Sequence, residues 1–340
     1  MNFLSDTTAP AHPAILEALS RANDGYAASY GNDAITAQLR DRLSGLFETD
    51  LDLVLTTSGT ASNALAVSVL CPPHGIILCH DEAHIHRDER GAPEFFTGGG
   101  KLLPLPGAHA KIDPAELNRA LAEWPQDFVH TPPPRALSIS NLNESGCAYT
   151  VAELEALTRP AKAKHLGVHF DGARFANTLA SLKTTPAALS WKAGADILCL
   201  GATKNGALGA EAILLFGDTR ERLGELQARQ KRSGHMGPKA RYIAAQMLAW
   251  LDGDLWLDLA RQANAAAGEI AALLGASGGA DVLHPVDGNE IFARLDDRLA
   301  EQLRAAGAGF YQWPDGSARF VASWSTSSAE LAAFEKAING

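Results

Sequence analysis

Short apolar segments alternate with longer segments of helical periodicity through the first two thirds of the chain. Apolar residues recur at three- and four-residue spacing in HPAILEALSRA and AITAQLRDRLSGLF, which predicts amphipathic helices. Continuous apolar runs predict buried strands in DLVLTTSGT, GIILCH, RALSISN, GVHFDG, DILCLG and EAILLFG. Strands that alternate with helices predict the α/β class, with a mostly parallel sheet covered by helices.

The pattern of predicted helices and strands changes near Leu248. A long helix-forming segment, LDLARQANAAAGEIAALLGA, precedes short strand-like and helix-like segments such as NEIFARL, LAEQLRAAG and RFVASWS. We therefore predict an N-terminal arm (1–14), a large domain (15–247) and a smaller α+β C-terminal domain (248–340). The 340 residues are 46% apolar, which is enough for one large core and a smaller one.

Charge and cysteine content exclude several classes of protein. The chain has 29 Lys and Arg against 39 Asp and Glu, a net charge of −10, and no basic run, so neither nucleic acid nor an anionic membrane is an expected partner. The four cysteines are scattered without a CxxC pair, which is typical of a reducing compartment. With no signal-peptide pattern and no long apolar run, a cytoplasmic protein is expected.

Residues that could take part in catalysis or ligand binding follow the ends of the predicted strands. Ser58, Gly59 and Thr60 open a helix directly after a strand, where backbone N–H groups and the helix dipole favour an anion. An ordinary helix cap is an alternative explanation of the same three residues. Because the carboxyl ends of parallel strands share one crevice, side chains placed there are expected to meet.

Asp171 and Lys204 close two successive predicted strands, with one helix between them. Asp171 has the position to pair with a protonated ring nitrogen, although an Asp–Gly turn is an equally simple explanation. The segment GATKNG fits neither a P-loop nor a dinucleotide-binding motif, so Lys204 is not a phosphate-loop lysine.

Three histidines, His80, His84 and His86, lie in one segment after a strand. This segment lacks HExxH, and without a second ligand pair it does not indicate a zinc site, so no metal is predicted. A polar loop is the simpler interpretation, and a histidine stacked on a flat cofactor is the alternative.

Taken together, these residues meet the needs of pyridoxal 5′-phosphate. The helix start would hold the phosphate, Asp171 the ring nitrogen, a histidine the ring face and Lys204 the aldehyde. The sequence therefore predicts a pyridoxal phosphate enzyme.

The chain resembles the low-specificity L-threonine aldolases, which belong to the fold-type I pyridoxal phosphate enzymes and to the group of aromatic amino acid beta-eliminating lyases and threonine aldolases. The resemblance covers nearly the whole chain. The motifs that carry it are FLSDTTAPAHPAILEAL, YGND, SGTASN, EAHIHRDERGAPEF, HFDGARFAN, CLGATKNG and ARFVASW.

The resemblance implies a role for each cofactor residue. Lys204 would form the Schiff base, and Asp171 would pair with the pyridine nitrogen. His84 would stack on the ring, and Arg174 would lie near the phenolic oxygen and the substrate carboxylate. The residues implied to hold the phosphate are Ser58, Gly59 and Thr60.

It also implies residues at the substrate. Ser5 and Arg319 would hold the carboxylate, His130 and Glu89 would lie near the β-hydroxyl, and Tyr30 would come from a neighbouring subunit. His130 is the first candidate for the base at the hydroxyl, and His84 the second.

One stretch departs from the family pattern. The family's Gly-Gly-Gly-Met-Arg stretch, whose arginine reaches a phosphate across a subunit interface, is replaced by RSGHMGPKARY. Lys239 or Arg241 would have to substitute, and arginine and lysine are not equivalent at a bidentate site.

The implied reaction is retro-aldol cleavage of L-threonine, L-allo-threonine and related β-hydroxy-α-amino acids to glycine and an aldehyde. A preference for L-phenylserine and a β-eliminating lyase on the same scaffold remain alternatives, and a non-catalytic anion- or sugar-binding protein is the alternative from another class. The resemblance further implies a homodimer or homotetramer with shared active sites.

Overall fold

The structure, a computed structural model, describes all 340 residues and contains two β-sheets. The strands of the larger sheet, in chain order, are β1 (Leu51–Thr56), β2 (Ile76–His80), β3 (Lys101–Leu105), β4 (Pro134–Ser140), β5 (Gly167–Gly172), β6 (Ile197–Gly201) and β7 (Glu211–Phe216). The strands of the smaller sheet are β8 (Ala280–Val282), β9 (Glu290–Leu295), β10 (Tyr311–Gln312) and β11 (Ser317–Val321).

The larger sheet is mostly parallel and has the strand order β1-β7-β6-β5-β4-β2-β3. Only β7 runs against its two neighbours, β1 and β6. The connection from β6 to β7 spans residues 202–210, which is too short for a helical crossover, so the chain returns in the opposite direction. The smaller sheet is antiparallel, with the order β10-β11-β9-β8. The predicted α/β class with a smaller α+β part is confirmed.

Thirteen α-helices surround the two sheets. They are α1 (Pro13–Ala22), α2 (Ala34–Phe47), α3 (Gly59–Leu70), α4 (His84–Arg87), α5 (Ala92–Thr97), α6 (Pro114–Glu123), α7 (Val151–Ala163), α8 (Phe175–Leu182), α9 (Leu223–Arg232), α10 (Arg241–Leu251), α11 (Leu255–Ala276), α12 (Asp297–Ala305) and α13 (Ser328–Asn339). None of them is both long enough and apolar enough to cross a lipid bilayer.

The long helix α11 connects the two parts of the molecule. Its first turns bury Trp256 and Leu259 in the core of the larger sheet, and its later turns bury Ile270 and Leu274 in the core of the smaller sheet. One amphipathic helix therefore supplies apolar side chains to both cores. The predicted boundary at Leu248 remains a prediction.

The N-terminal residues pack against the smaller sheet. Phe3 is completely buried in the core under β9 and β11, its N–H donates to the Gly309 carbonyl, and its carbonyl accepts from the Val321 N–H. A short 3₁₀ turn, Asp6–Thr8, follows and carries the chain towards the larger sheet.

The end of β5 is closely packed around Gly172. A Cβ at this residue would lie 2.7 Å from the Cys199 carbonyl oxygen and 2.8 Å from a Leu198 methyl carbon. Only glycine allows β5 and β6 to approach this closely where both strands end.

We expect Gly172→Ala to lower the free energy of unfolding by about 1–3 kcal/mol, because the added methyl group meets the Cys199 carbonyl oxygen, a backbone atom that cannot move aside as a side chain can. Urea unfolding measures the change. The control is Gly268→Ala in α11, where an added Cβ meets nothing within 4 Å and stability should rise by up to about 1 kcal/mol. Equal stability of Gly172→Ala and the original protein would contradict the close approach.

Candidate active site

A cavity of about 290 Å³ lies at the carboxyl ends of β1, β4, β5 and β6. Most of the lining residues are polar or charged. The lining residues are Thr7, Thr57, Ser58, Gly59, Thr60, Asn63, His84, Ser140, Leu142, Asn143, Glu144, Asp171, Ala173, Arg174, Thr203, Lys204 and Glu211. The edge of the sheet where ligands bind in open α/β folds therefore carries the predicted strand-end residues.

Helix α3 begins at this cavity. Ser58 is its N-cap, and the Ser58 hydroxyl accepts a hydrogen bond from the Ala61 N–H. The N–H groups of Gly59 and Thr60 have no partner within the chain, as is usual in the first turn of a helix. These two donors and the helix dipole make this part of the cavity wall, the candidate anion-binding position, suited to an anion.

Asp171 lies at the end of β5, next to Cys199 of β6, and is buried. Its Oδ1 accepts from the Ala173 N–H at 2.9 Å, and its Oδ2 accepts from Asn63 Nδ2 at 2.8 Å. Burial acts to raise the pKa of Asp171, but the nearby His84 and His169 rings and the Ala173 N–H outweigh it and hold the pKa below its usual value. The carboxylate is therefore ionised at neutral pH.

His84 lies on α4 at the opposite wall, and its Nδ1 is 2.8 Å from Oε1 of Glu89. The Glu89 side chain is completely buried at the edge of the ring and does not line the cavity. Its carboxylate contacts His84, which lines the cavity, and the predicted position of Glu89 near a substrate hydroxyl remains a prediction. The pKa of His84 is raised by this hydrogen bond, against the lowering effect of burial.

Asn63 joins these two carboxylates. Its Nδ2 donates to Asp171 Oδ2 and, at 2.9 Å, to Glu89 Oε1. Asn63 is buried on α3, one turn beyond Gly59. One side-chain amide thus keeps two buried carboxylates in place from the helix that also forms the candidate anion-binding position.

Lys204 follows β6 in a short 3₁₀ turn, beside the β5 end that carries Asp171. The predicted proximity of Asp171 and Lys204 is what the structure shows. Two further acids line the cavity. Burial raises the pKa of Glu211 to about 7 against the opposing effects of Thr203 and Lys204, and burial raises the pKa of Glu144 to about 7 although Ser140 donates to its carboxylate.

Arg174 is held by two carboxylates. Its Nε and Nη2 donate to Asp6 at 2.7 and 3.2 Å, and its Nη1 lies 2.9 Å from Glu290 Oε2. The side chains are 11%, 1% and 2% exposed, respectively. Burial acts to lower the pKa of Arg174, but Asp6 and Glu290 raise it well above its usual value. Arg174 is therefore a fixed, buried cation at the cavity wall.

Ser5 and Arg319 lie behind the cavity, on the side of the smaller sheet. The Ser5 hydroxyl contacts that of Thr7, which lines the cavity, at 2.8 Å. Arg319 on β11 donates from Nη2 to the Leu4 carbonyl at 3.4 Å, and its buried Nε has no partner. These two residues are adjacent to the cavity but do not line it.

The remaining predicted residues lie elsewhere in the chain. His130 packs its ring against exposed Phe128 just before β4, at the opposite end of the sheet from the cavity. Tyr30 donates its N–H to the carbonyl of Pro238, the residue before Lys239, and lines a separate surface groove. None of these three residues lines the cavity.

Sequence reasoning missed five of the charged or polar residues that shape the site. They are Asp6, Asn63, Glu144, Glu211 and Glu290. Glu211 begins the otherwise apolar strand EAILLF, and Glu290 begins the mostly apolar strand EIFARL. A charged residue at the start of such a strand was the available signal.

Comparison with known proteins agrees with the fold. The family described as beta-eliminating lyase matches residues 2–298. A low specificity L-threonine aldolase of Pseudomonas sp. is 39% identical over 99% of this chain and 97% of its own length. The protein of the same description from Pseudomonas aeruginosa is 40% identical over 95% of this chain and 93% of its own.

Solved structures share the fold. A threonine aldolase of Leishmania major superposes with a TM-score of 0.92 at 27% identity, covering 99% of this chain and 98% of that one. An aspartate aminotransferase of Rhodobacter sphaeroides superposes with a TM-score of 0.72 at 17% identity, covering 100% and 92%. The second likeness concerns the fold alone.

We expect Asn63→Asp to lower the free energy of unfolding by about 3 kcal/mol at pH 8, because a third carboxylate then faces Glu89 and Asp171. Like charges raise the pKa of the new group above that of the unfolded chain. The loss should therefore be absent at pH values below about 4 and grow as the pH rises through the raised pKa.

Urea unfolding at pH 5 and pH 8 measures this difference. Asn118→Asp on the exposed face of α6 is the matched control and should change stability by less than about 0.5 kcal/mol. A loss for Asn63→Asp that does not depend on pH would show that charge repulsion is not its cause.

Proposed function

The chain belongs to the beta-eliminating lyase family, and from that premise we propose that it is a carbon–carbon lyase that cleaves L-threonine, L-allo-threonine and related β-hydroxy-α-amino acids to glycine and an aldehyde. The proposal takes its substrate class from the curated relatives, which are named low specificity L-threonine aldolases. Pyridoxal 5′-phosphate is the proposed cofactor.

The observation that carries the proposal is the pair of His84 and buried Glu89. Because Nδ1 of His84 faces Glu89, Nε2 is the free ring nitrogen of a residue that lines the cavity. A carboxylate that fixes one ring nitrogen leaves the other as a proton acceptor, which is what removal of a hydroxyl proton requires.

The donor set of the cavity fits the proposed cofactor. The unpartnered N–H groups of Gly59 and Thr60 would hold its phosphate, together with the Ser58 cap, and Lys204 would bind its aldehyde covalently. Ionised Asp171 would accept a hydrogen bond from the ring nitrogen, and His84 would cover the ring. When bound, the cofactor supplies an electron sink for the negative charge that bond cleavage leaves at Cα.

The cationic side of the cavity would fix the substrate carboxylate. Arg174 lies at the wall, and Ser5 and Arg319 lie directly behind it. Held there, the carboxylate determines which bond at Cα is presented for cleavage, and orientation of that kind selects one reaction among several.

His84 would then take the proton of the β-hydroxyl on Nε2 as the Cα–Cβ bond breaks and the aldehyde leaves. Glu89 keeps the Nδ1 proton in place and stabilises the positive charge that the ring gains. His84 thus replaces His130 as the first candidate for the base within one chain. His130, Tyr30 and Lys239 are proposed to act from a second copy, in a dimer or tetramer with shared sites.

The direct test supplies the protein with pyridoxal phosphate and L-threonine. We expect glycine and acetaldehyde in equal amounts and no product from D-threonine. Lys204→Ala should lose about a thousandfold or more of this activity, because the covalent anchor and its amine are removed. Lys336→Ala on the surface of α13 is the matched control and should keep full activity. Release of ammonium and a 2-oxo acid instead would make the protein a β-eliminating lyase.

We expect Glu89→Gln to move the acid limb of the pH–rate profile to lower pH. The hydrogen bond from Glu89 raises the pKa of His84, so its loss lowers that pKa, and unprotonated His84 persists to lower pH. The maximal rate should fall about tenfold or more, since the ring is no longer held.

Values of kcat for L-threonine between pH 5.5 and pH 9 provide this measurement. Glu82→Gln, an exposed acid in the same segment, should reproduce the original profile. An acid limb that stays in place in Glu89→Gln would remove His84 from the role of the base.

A further inference from the structure

Glu290 and Arg319 lie on the same face of the smaller sheet. In the antiparallel pair of β9 and β11, Glu290 is opposite Val321, and Arg319 is two residues before Val321. Side chains two residues apart point to the same side of a strand, and directly opposite residues share a face. The alternate residues Ile291 and Ala293 point into the core, so the face with Glu290 and Arg319 turns towards Arg174.

Glu290 makes fewer directed hydrogen bonds to Arg174 than Asp6 does. Asp6 accepts two directed hydrogen bonds from Nε and Nη2. Glu290 Oε2 lies 2.9 Å from Nη1 but has no well-directed hydrogen bond, and it is buried. Asp6 therefore anchors one edge of the guanidinium, and Glu290 occupies its end.

The charges around Arg174 and Glu290 do not favour the binding of a further anion. Arg174 and Arg319 carry two positive charges, and Asp6 and Glu290, when ionised, carry two negative charges. As long as Glu290 is ionised, Asp6 and Glu290 balance the two arginines, and Lys204, whose amine would bind the cofactor, is the other cation near Glu290. Like charges that approach closely cost several kcal/mol in a buried site.

We propose that Glu290 is a specificity-determining residue that competes with the α-carboxylate of the amino acid for Arg174, so that binding of a carboxylate ligand is coupled to uptake of a proton by Glu290. This inference rests on the proposed function. It names no new reaction step, since the proton comes from solvent and returns to it when the ligand leaves.

The groups that face Glu290 come from four parts of the fold. Arg174 follows β5, Asp6 lies in the N-terminal turn, Arg319 is on β11 and Lys204 follows β6. Burial and Asp6 raise the pKa of Glu290, and together they outweigh the lowering effect of Arg174, Arg319 and Lys204. The carboxyl therefore takes up a proton at a higher pH than an ordinary glutamate does.

The direction of the pH dependence follows. Protonated Glu290 releases Nη1 of Arg174 for the ligand, while Nε and Nη2 stay bonded to Asp6, and ionised Glu290 opposes the ligand. Affinity for a carboxylate ligand should therefore fall as the pH rises through the raised pKa of Glu290. An amine without a carboxylate should not show this loss.

The test compares two amines that bind to the protein loaded with pyridoxal phosphate. Glycine carries the carboxylate, and 1-amino-2-propanol is threonine without it. Binding is followed by the absorbance of the cofactor between pH 5.5 and pH 8.5, without any need for cleavage. We expect Glu290→Gln to bind glycine about tenfold more tightly at pH 8.5 and to lose most of the pH dependence, with unchanged or weaker binding of 1-amino-2-propanol.

Glu301→Gln, an exposed acid on α12, is the matched control and should bind both amines as the original protein does. Unchanged or weaker binding of glycine to Glu290→Gln, or an equal change for both amines, would overturn the proposal. Should the variant fail to fold, the original protein decides the question: glycine affinity must fall more steeply with pH than that of 1-amino-2-propanol, and parallel curves contradict the proposal. Glycine binding without aldehyde release from L-threonine would refute the proposed function alone.

Discussion

A buried guanidinium determines how the parts of this molecule fit together. Arg174 follows β5 of the larger sheet, Asp6 comes from the N-terminal turn, and Glu290 begins β9 of the smaller sheet. Leaving a buried charge without its partner costs about 3–5 kcal/mol, so each of the three segments is held by the other two. The cavity lies against this cluster, and its shape therefore depends on the relative position of both sheets and the arm.

A second network of buried polar side chains lies on the other side of the cavity. Asn63 donates to Asp171 and to Glu89, and Glu89 in turn holds His84. The carboxylate proposed for the ring nitrogen and the histidine proposed as the base are thus joined by one amide. The two bonds from Asn63 Nδ2 tie the positions of Asp171 and Glu89 to each other, while Asn63 Oδ1 and Glu89 Oε2 are buried without a partner.

Much of the fold followed from periodicity. The apolar runs predicted β1, β2 and β4 to β7, and the rule for parallel strands placed Asp171 and Lys204 at one edge. The strand β3 was not predicted, because KLLPL contains a proline that only an edge strand tolerates. The reversed direction of β7 depends on the length of one loop rather than on its own residues.

The buried charges could not be paired from the sequence. Glu290 lies far along the chain from Arg174, and an acid at the start of an apolar strand does not reveal which cation it will meet. For His130 the difficulty is different. The resemblance implied a role for His130 near the substrate, but the fold of one chain places it at the opposite end of the larger sheet from the cavity. Contacts between distant segments, or between chains, are fixed by packing rather than by local pattern.

The most direct measurement identifies the lysine that binds the cofactor. The protein loaded with pyridoxal phosphate is reduced with borohydride, digested, and mapped by mass spectrometry. The account predicts that the cofactor is found on Lys204 and that the yellow colour is lost on reduction. The cofactor on another lysine, such as Lys239, or on none, would contradict the assignment of this cavity as the active site.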